Sequence, residues 1–194
     1  MSKYYSAKLF SKLWVWRLEM YERILYTDLD TLFVQSPDSL FSEDYFHTLA
    51  LQNNNNSPAM ALDQATRGNH YYYNTGVMLL KPSEDEYQRL VATMNANSEH
   101  LHSSSSTEQD FLNIFYHGRV VQLDARFNRQ VCAAEGCLND GVLKKKKGFF
   151  LGEEAAIILH FGGENNKPWN THNCVEQGIV QLCLFWKHYN NNNN

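Results

Sequence analysis

An apolar segment that runs into two closely spaced carboxylates constrains the fold of this chain most. Residues 23–28 (Arg-Ile-Leu-Tyr-Thr-Asp) are typical of a buried strand, and Asp28 and Asp30 stand where it ends. In a strand, residues two apart point to the same side, so both carboxylates can face one ion. Burying like charges together is costly unless a cation or hydrogen-bond donors offset them. We therefore predict a divalent metal at the C-terminal edge of a sheet, with two acidic turn residues as the alternative.

Composition favours a folded globule over a disordered chain and gives no support for some classes of partner. The 194 residues are 43% hydrophobic and 13% aromatic, enough for one domain with a sizeable core. A formal net charge of -4 gives no electrostatic reason to expect nucleic acid or an anionic membrane as a partner. No apolar run approaches the length of a membrane span. Four cysteines form no C-x-x-C pair, which disfavours structural zinc, and a disulfide between Cys132 and Cys137 is left open.

Strand-like and helix-like segments alternate along the chain, which predicts an α/β sandwich. Helices are predicted over residues 6–20, from a Ser83/Glu86 capping box to about 95, from a Thr107/Asp110 capping box onward, and over 175–188. Strands are predicted at residues 23–28, 31–34, 59–63, 71–80, 120–123 and 157–161. Residues 129–153 are predicted to be rich in loops, and 190–194 to be a disordered asparagine tail.

Two further segments carry groups suited to a phosphorylated sugar. His160 ends an apolar strand and precedes Gly162 and Gly163, which would let a ligand approach the backbone closely. Imidazole is an acceptable ligand for Mn²⁺, although a histidine in this setting is also often a core residue. Lys167 and Trp169 follow, offering a cation for phosphate and an aromatic surface for a sugar, or else an ordinary loop.

The middle of the chain holds polar groups within otherwise apolar elements. Asn74, Thr75 and Gly76 interrupt an aromatic strand, where they either bind sugar hydroxyls or form a β-bulge. Glu108 and Gln109 stand in the first turn of a helix, where Glu108 could also act only on the helix dipole.

Five motifs in order resemble the glycogenin-like members of glycosyltransferase family 8. They are Phe10-Ser11-Lys12-Leu13-Trp14, Tyr26-Thr27-Asp28-Leu29-Asp30-Thr31, Asn74-Thr75-Gly76-Val77-Met78 with Lys81-Pro82-Ser83, Glu108-Gln109-Asp110-Phe111-Leu112-Asn113, and His160-Phe161-Gly162-Gly163 with Lys167-Pro168-Trp169. Each motif is weak alone, but their common order over most of the chain is specific.

The resemblance implies a GT-A-type three-layer α/β/α fold and a retaining transfer of a hexosyl or pentosyl unit from a UDP-sugar to a glycan or protein acceptor. It implies Mn²⁺, with Mg²⁺ as the alternative, bound by Asp28, Asp30 and His160. The remaining roles that it implies are catalysis by Glu108, Gln109 and Lys12, with Lys12 reaching the donor, and substrate binding by Asn74, Thr75, Gly76, Gly163 and Lys167. A homodimer is a further candidate assembly.

The chain also departs from the family pattern. The strand and helix that the family places before its lysine-bearing helix have no counterpart, so we expect residues 1–189 to form an N-terminally truncated domain. Glu108 stands where the family usually has Asp. These departures keep an inactive or sugar-binding remnant open, and leave the location, cytoplasm or Golgi lumen, undecided. A haloacid-dehalogenase-type phosphatase is the other alternative, but its motif wants Thr or Val at the position of Leu32.

Overall fold

The computed structural model describes residues 10–45, 57–63, 72–96, 107–131, 155–163, 167 and 169. Its contacts group the chain into two units, the first of Met1–Tyr26, Asp38–Leu62 and Asn69–Leu123, the second of Thr27–Pro37, Asp63–Gly68 and Asp124–Asn194. The four cysteines, the helix predicted over 175–188 and the tail at 190–194 lie outside the described residues, and the single domain over 1–189 stays a prediction.

Seven strands and two α-helices are described. The strands are β1 (Ile24–Thr27), β2 (Thr31–Phe33), β3 (Ala59–Leu62), β4 (Tyr73–Leu80), β5 (Val121–Gln122), β6 (Arg129–Gln130) and β7 (Ile158–His160). The α-helices are α1 (Glu84–Ala96) and α2 (Glu108–Phe115), and 3₁₀ segments cover Phe10–Arg17, Asp38–Phe41 and Ala125–Asn128. None of the helices among these residues is long and apolar enough to cross a membrane.

The first unit is built on a sheet of order β1-β4-β3-β5, in which β3 is antiparallel to β4 and parallel to β5. Its core combines apolar side chains from the sheet, both α-helices and the first 3₁₀ segment, including Trp16, Met78, Leu90 and Leu112. Trp16 is fully buried and stacks on Tyr116 with 6.2 Å between ring centroids. Burial of this many large side chains supplies the main driving force for folding of the unit.

The helix predicted over residues 6–20 is, in its described part, a 3₁₀ segment over Phe10–Arg17. Trp, Val and Phe have low helix propensity, and they follow one another closely here. The carbonyl of Trp16 accepts a hydrogen bond from the Ser83 N–H at 2.8 Å, so it serves the start of α1 rather than its own helix. The helix predicted over residues 6–20 therefore ends at Arg17, three residues early, and is of the 3₁₀ type, while residues 6–9 lie outside the described part of the chain.

Only one of the two predicted capping boxes is complete. At α2, Thr107 accepts from the Asp110 N–H, and the Asp110 carboxylate accepts from the Thr107 N–H. At α1, Ser83 accepts from the Glu86 N–H at 3.2 Å, but the Glu86 carboxylate does not return the bond. That carboxylate is buried and instead pairs with Arg89 at 2.6 Å.

The second unit is built on a three-stranded sheet of order β2-β7-β6. β7 runs antiparallel to β2, which places Thr31 opposite His160, and parallel to β6, which places Gln130 beside His160. All three residues of this central strand are buried, as predicted for a short apolar run bounded by glycine. The stretch predicted to be rich in loops, 129–153, begins with the two strand residues of β6, and residues 132–153 lie outside the described part of the chain.

Candidate functional site

The two aspartates lie in the turn that joins β1 to β2. The Asp28 carbonyl accepts a hydrogen bond from Thr31 Oγ1 at 2.9 Å, which closes the turn. The Asp30 carbonyl accepts from the Phe161 N–H at 2.8 Å, which fixes the turn beside the end of β7. Leu29 between them is 99% exposed. A turn, rather than the alternation of a strand, therefore brings the two carboxylates to one side.

Asp28, Asp30 and His160 form a compact group of three potential metal ligands. Their ligand atoms all lie within 4.8 Å of one another, and Asp30 Oδ1 is 3.4 Å from His160 Nε2. His160 is 4% exposed and the aspartates are half-buried. Two carboxylate oxygens and one imidazole nitrogen suit Mn²⁺ better than Mg²⁺, which prefers oxygen alone. The histidine is thus both a buried strand residue and a neighbour of the acidic pair.

Asp30 is held in its ionised form by its surroundings. Burial alone would raise the pKa of Asp30, but hydrogen bonds and charge interactions with His160 and Lys167 outweigh it and lower the pKa to about 2. Lys167 Nζ bonds Asp30 Oδ2 and also donates to the Phe161 carbonyl at 3.0 Å. The two carboxylate oxygens are therefore divided, with Oδ2 toward the lysine and Oδ1 toward the histidine.

The segment after β7 is shaped by Gly163. Its φ of 77° lies in the left-handed region, which a residue with a side chain seldom adopts. A Cβ added at Gly162 would lie 3.9 Å from His160 Nε2, an ordinary van der Waals distance. The Trp169 ring centroid lies 5.8 Å from Lys167 Nζ, so the predicted cation and aromatic surface are neighbours.

A second group of predicted residues lies in the first unit. Lys12 Nζ and the Glu108 carboxylate form an ion pair at 2.7 Å, with their side chains 7% and 10% exposed. Lys12 Nζ also lies 5.4 Å from the centroid of the Tyr26 ring. The capping of α2 is done by Thr107 and Asp110, so Glu108 is not needed as a cap. Its buried carboxylate is instead matched to a lysine from a distant part of the chain.

The Asn74-Thr75-Gly76 stretch coincides with an irregularity in the sheet. Met60 pairs with Met78, whereas Leu62 pairs with Tyr73, so four residues of β4 stand opposite one of β3. The pairing register therefore shifts at this stretch, through a bulge or a related irregularity, and sugar binding by these residues stays a prediction.

Side chains take up the backbone donors of this bulge. The Thr75 N–H donates to Gln109 Oε1 at 3.1 Å, and the Gly76 N–H donates to Asn74 Oδ1 at 3.0 Å. Gln109 and Asn74 thus have structural partners, whatever they do for a ligand. Thr75 is 1% exposed, so a ligand could reach it only through its neighbours.

Two buried asparagines that we did not assign a role hold these groups in place. Asn128 Oδ1 lies 2.9 Å from His160 Nδ1. Asn113 Oδ1 accepts a hydrogen bond from the Tyr73 N–H at 2.7 Å, and Asn113 Nδ2 donates to the Tyr73 carbonyl at 2.8 Å. These two bonds connect α2 to the start of β4. Asn113 is a polar residue within an apolar stretch of the sequence, which is a signal for a buried amide with specific partners. Asn128 has Arg126, Arg129 and Gln130 near it and carries no such signal.

Comparisons with known proteins support the resemblance. Residues 1–173 match the model of the family described as glycosyl transferase family 8. The chain is 26% identical over 167 residues to UDP-glucuronate:xylan alpha-glucuronosyltransferase 1 of Arabidopsis thaliana, covering 85% of this chain and 21% of that protein. It is 23% identical over 180 residues to galactinol synthase 4 of the same plant, covering 82% and 50%. The chain thus spans half or less of these relatives.

The fold is similar to that of solved glycosyltransferases. The glycosyltransferase GlyE of Streptococcus pneumoniae TIGR4 matches with a TM-score of 0.56 and 23% identity, covering 83% of this chain and 39% of that one. The expected GT-A-type α/β fold is confirmed at this level. With a family model that spans most of its length, the chain belongs to glycosyltransferase family 8.

Proposed function

We propose that the protein to which this chain belongs is a Mn²⁺-dependent, retaining glycosyltransferase that moves a hexosyl or pentosyl unit from a UDP-sugar to a glycan or protein. The observation that carries the proposal is the group of Asp28, Asp30 and His160, whose ligand atoms lie within 4.8 Å of one another. Two carboxylate oxygens and one imidazole nitrogen suit a divalent cation, and the adjacent Lys167 suits the diphosphate that such a cation accompanies. Family membership supports the same class of reaction and disfavours the phosphatase alternative.

In this proposal the second unit binds the diphosphate of the donor. A divalent cation, when bound, would act as a Lewis acid that offsets the charge of the departing UDP. Asp28, Asp30 and His160 would hold it, and Lys167 would exchange part of its contact with Asp30 for a phosphate oxygen. Lys167 is part-buried, so its charge is screened less by solvent than that of a surface lysine.

For the residues of the first unit, the roles that the family resemblance implies stay proposals. Glu108 is a buried carboxylate, and such a group can stabilise an oxocarbenium-like transition state. The ion pair with Glu108 favours a positioning role for Lys12 over the direct contact with the donor that we expected. Gln109, Asn74, Thr75 and Gly76, with Gly163 of the second unit, remain predicted substrate-binding residues.

The acceptor is the least constrained part of the proposal. The printed names of two relatives refer to xylan and to galactinol, so related proteins differ in the molecules that they use. We propose a glycan or protein acceptor, and leave a homodimer as a prediction.

The deciding experiment is a screen of UDP-sugars for release of UDP, with and without Mn²⁺, on the wild type and on Asp30→Asn. Loss of turnover in Asp30→Asn and after chelation is the expected result. Asp124→Asn is the matched control, because Asp124 lies in the same unit. Among the described residues, its carboxylate accepts hydrogen bonds from Arg126 alone. Its turnover should match the wild type.

Three outcomes separate the candidate functions. Turnover that depends on Mn²⁺ and on Asp30 supports the transferase. Thermal stabilisation by a UDP-sugar without turnover would support the sugar-binding remnant, since a ligand that binds the native state raises its melting temperature. Turnover that survives Asp30→Asn unchanged would contradict the metal assignment.

A further inference from the structure

A fully buried amide lies against the imidazole of His160 on the side away from the aspartates. Asn128 is 0% exposed, and its Oδ1 is 2.9 Å from His160 Nδ1. The other ring nitrogen, Nε2, lies 3.4 Å from Asp30 Oδ1. The two ring nitrogens of His160 therefore meet two different partners, an amide oxygen at Nδ1 and a carboxylate oxygen at Nε2.

The backbone around Asn128 is fixed to the strand that carries His160. On one side, the Ile157 N–H donates to the Arg126 carbonyl at 2.8 Å. On the other, the Val131 N–H donates to the His160 carbonyl at 2.7 Å, continuing the parallel pairing of β6 with β7. Hydrogen bonds on both sides of Asn128 leave it little freedom to move relative to the imidazole. Such a contact can set the orientation of a ring.

The chemistry of the contact determines which nitrogen carries the proton. An amide oxygen only accepts hydrogen bonds, so the Nδ1 atom that meets Asn128 Oδ1 must donate. In a neutral imidazole the proton on Nδ1 leaves a lone pair on Nε2. Nε2 is the nitrogen that faces the Asp30 carboxylate, to which it can donate while no metal is bound. With a proton kept on Nδ1, Nε2 is the nitrogen that would release its proton and ligate a metal.

We propose that Asn128 is a positioning residue that keeps a proton on His160 Nδ1 and fixes the ring with Nε2 toward the Asp28–Asp30 side, so that Nε2 is the nitrogen available to a metal. The proposal rests on the metal-binding role of His160 in the proposed function. Partners of this kind on the second nitrogen fix the ring and change metal affinity by about 10- to 100-fold when they are removed.

The first test reads the tautomer directly and needs no metal. Long-range ¹H–¹⁵N correlation spectra of the whole chain distinguish Nδ1–H from Nε2–H, and His160→Gln identifies the His160 signals. The spectra are recorded near pH 8. We expect a proton on Nδ1 in the wild type and in Asn128→Asp, whose carboxylate also only accepts. Asn128→Leu should shift the ring toward Nε2–H.

The second test measures Mn²⁺ affinity by calorimetry. Asn128→Leu, which is branched at Cγ like asparagine but has no acceptor, should raise the Kd for Mn²⁺ by about tenfold or more. Asn128→Asp should retain the wild-type affinity or improve on it. Asn113→Leu is the matched control, because it also removes a buried amide, yet its contacts are to Tyr73 and Gln109. It should lower the melting temperature without changing the Mn²⁺ affinity.

The outcomes distinguish this inference from the proposed function. A wild type whose Nδ1 carries no proton, or an Asn128→Leu variant whose Nδ1 proton and Mn²⁺ affinity are both unchanged, would overturn the role of Asn128. A wild type that shows the Nδ1–H tautomer but binds no Mn²⁺ would keep the Asn128–His160 contact and overturn the metal site instead. If Asn128→Leu does not fold, the wild-type spectrum and Asn128→Asp still decide the question.

Discussion

The Lys12 ammonium lies 2.7 Å from the Glu108 carboxylate, and solvent reaches no more than a tenth of either side chain. Removing two charges from water is costly, and their attraction repays it only while both are present. The Tyr26 ring, 5.4 Å from Lys12 Nζ, adds a weak cation–π contact. A change to one partner therefore leaves the other as an uncompensated buried charge.

We predict that Lys12→Met and Glu108→Gln each lower the free energy of unfolding by about 3–5 kcal/mol. The double variant should lose clearly less than the sum of the two single losses, because neither unpaired charge remains. Urea denaturation of the four proteins measures this cycle. Additive losses would show that the two side chains do not interact in solution.

Lys167 provides a second prediction, on binding rather than folding. It neutralises part of the charge of Asp30, so its removal should strengthen the binding of Mn²⁺ alone. We expect Lys167→Met to lower the Kd for Mn²⁺ by on the order of tenfold, about 1.4 kcal/mol. The same variant should bind UDP-sugar more weakly, because the diphosphate loses a cation. Isothermal titration with each ligand measures both effects.

The matched control for this pair of effects is Lys81→Met, a change at an exposed lysine that precedes α1. It removes the same charge from the chain and should leave both affinities as in the wild type. If Lys167→Met changed the two affinities in the same direction, the diphosphate role of Lys167 would be wrong.

Local patterns predicted the main parts of the candidate site, but for a partly incorrect reason. The end of an apolar run located Asp28 and Asp30, and the glycines after β7 marked His160. The aspartates nevertheless lie in a turn, held by Thr31 Oγ1, and not in an alternating strand. A short pattern such as Asp-x-Asp indicates which side chains are close in space. The hydrogen bonds that orient these side chains depend on residues outside the pattern.

Asn128 shows why the rest could not be predicted. It precedes His160 by 32 residues, and the contact depends on the parallel pairing of the two-residue strand β6 with β7. A strand of two residues has no periodicity to recognise. The end of the 3₁₀ segment at Arg17 has a similar origin, since the Trp16 carbonyl is used by Ser83, 67 residues later. Tertiary contacts decide such cases over local propensity.

The stability of the start of α2 should depend on pH through Asp110. Burial would raise the pKa of Asp110, but hydrogen bonds from Tyr72 and from the backbone and side chain of Thr107 outweigh it and lower the pKa. The folded state therefore binds this proton less tightly than the unfolded state, whose pKa is about 3.9. Its contribution is present above that pH and is lost as the pH falls through the lower folded-state pKa.

We predict that Asp110→Asn lowers the free energy of unfolding at pH 7 by about 1 kcal/mol, the usual value of a helix cap. The difference from the wild type should shrink as the pH falls below about 4. Urea denaturation at pH 7 and pH 3 measures it. A difference that stays constant between these values would show that the ionised carboxylate is not responsible.

The two glycines after His160 should respond differently to the same substitution. Gly163 has a φ of 77°, so Gly163→Ala should lower the free energy of unfolding by about 1–2 kcal/mol through backbone strain. At Gly162 the added methyl meets only ordinary contacts, so Gly162→Ala should change stability by less than about 0.5 kcal/mol.

The methyl group of Gly162→Ala nevertheless lies 3.9 Å from His160 Nε2, where it narrows the space for a cation. Gly162→Ala should therefore raise the Kd for Mn²⁺ while its denaturation curve stays as in the wild type, and an unchanged Kd would argue that a cation does not approach His160 from this side.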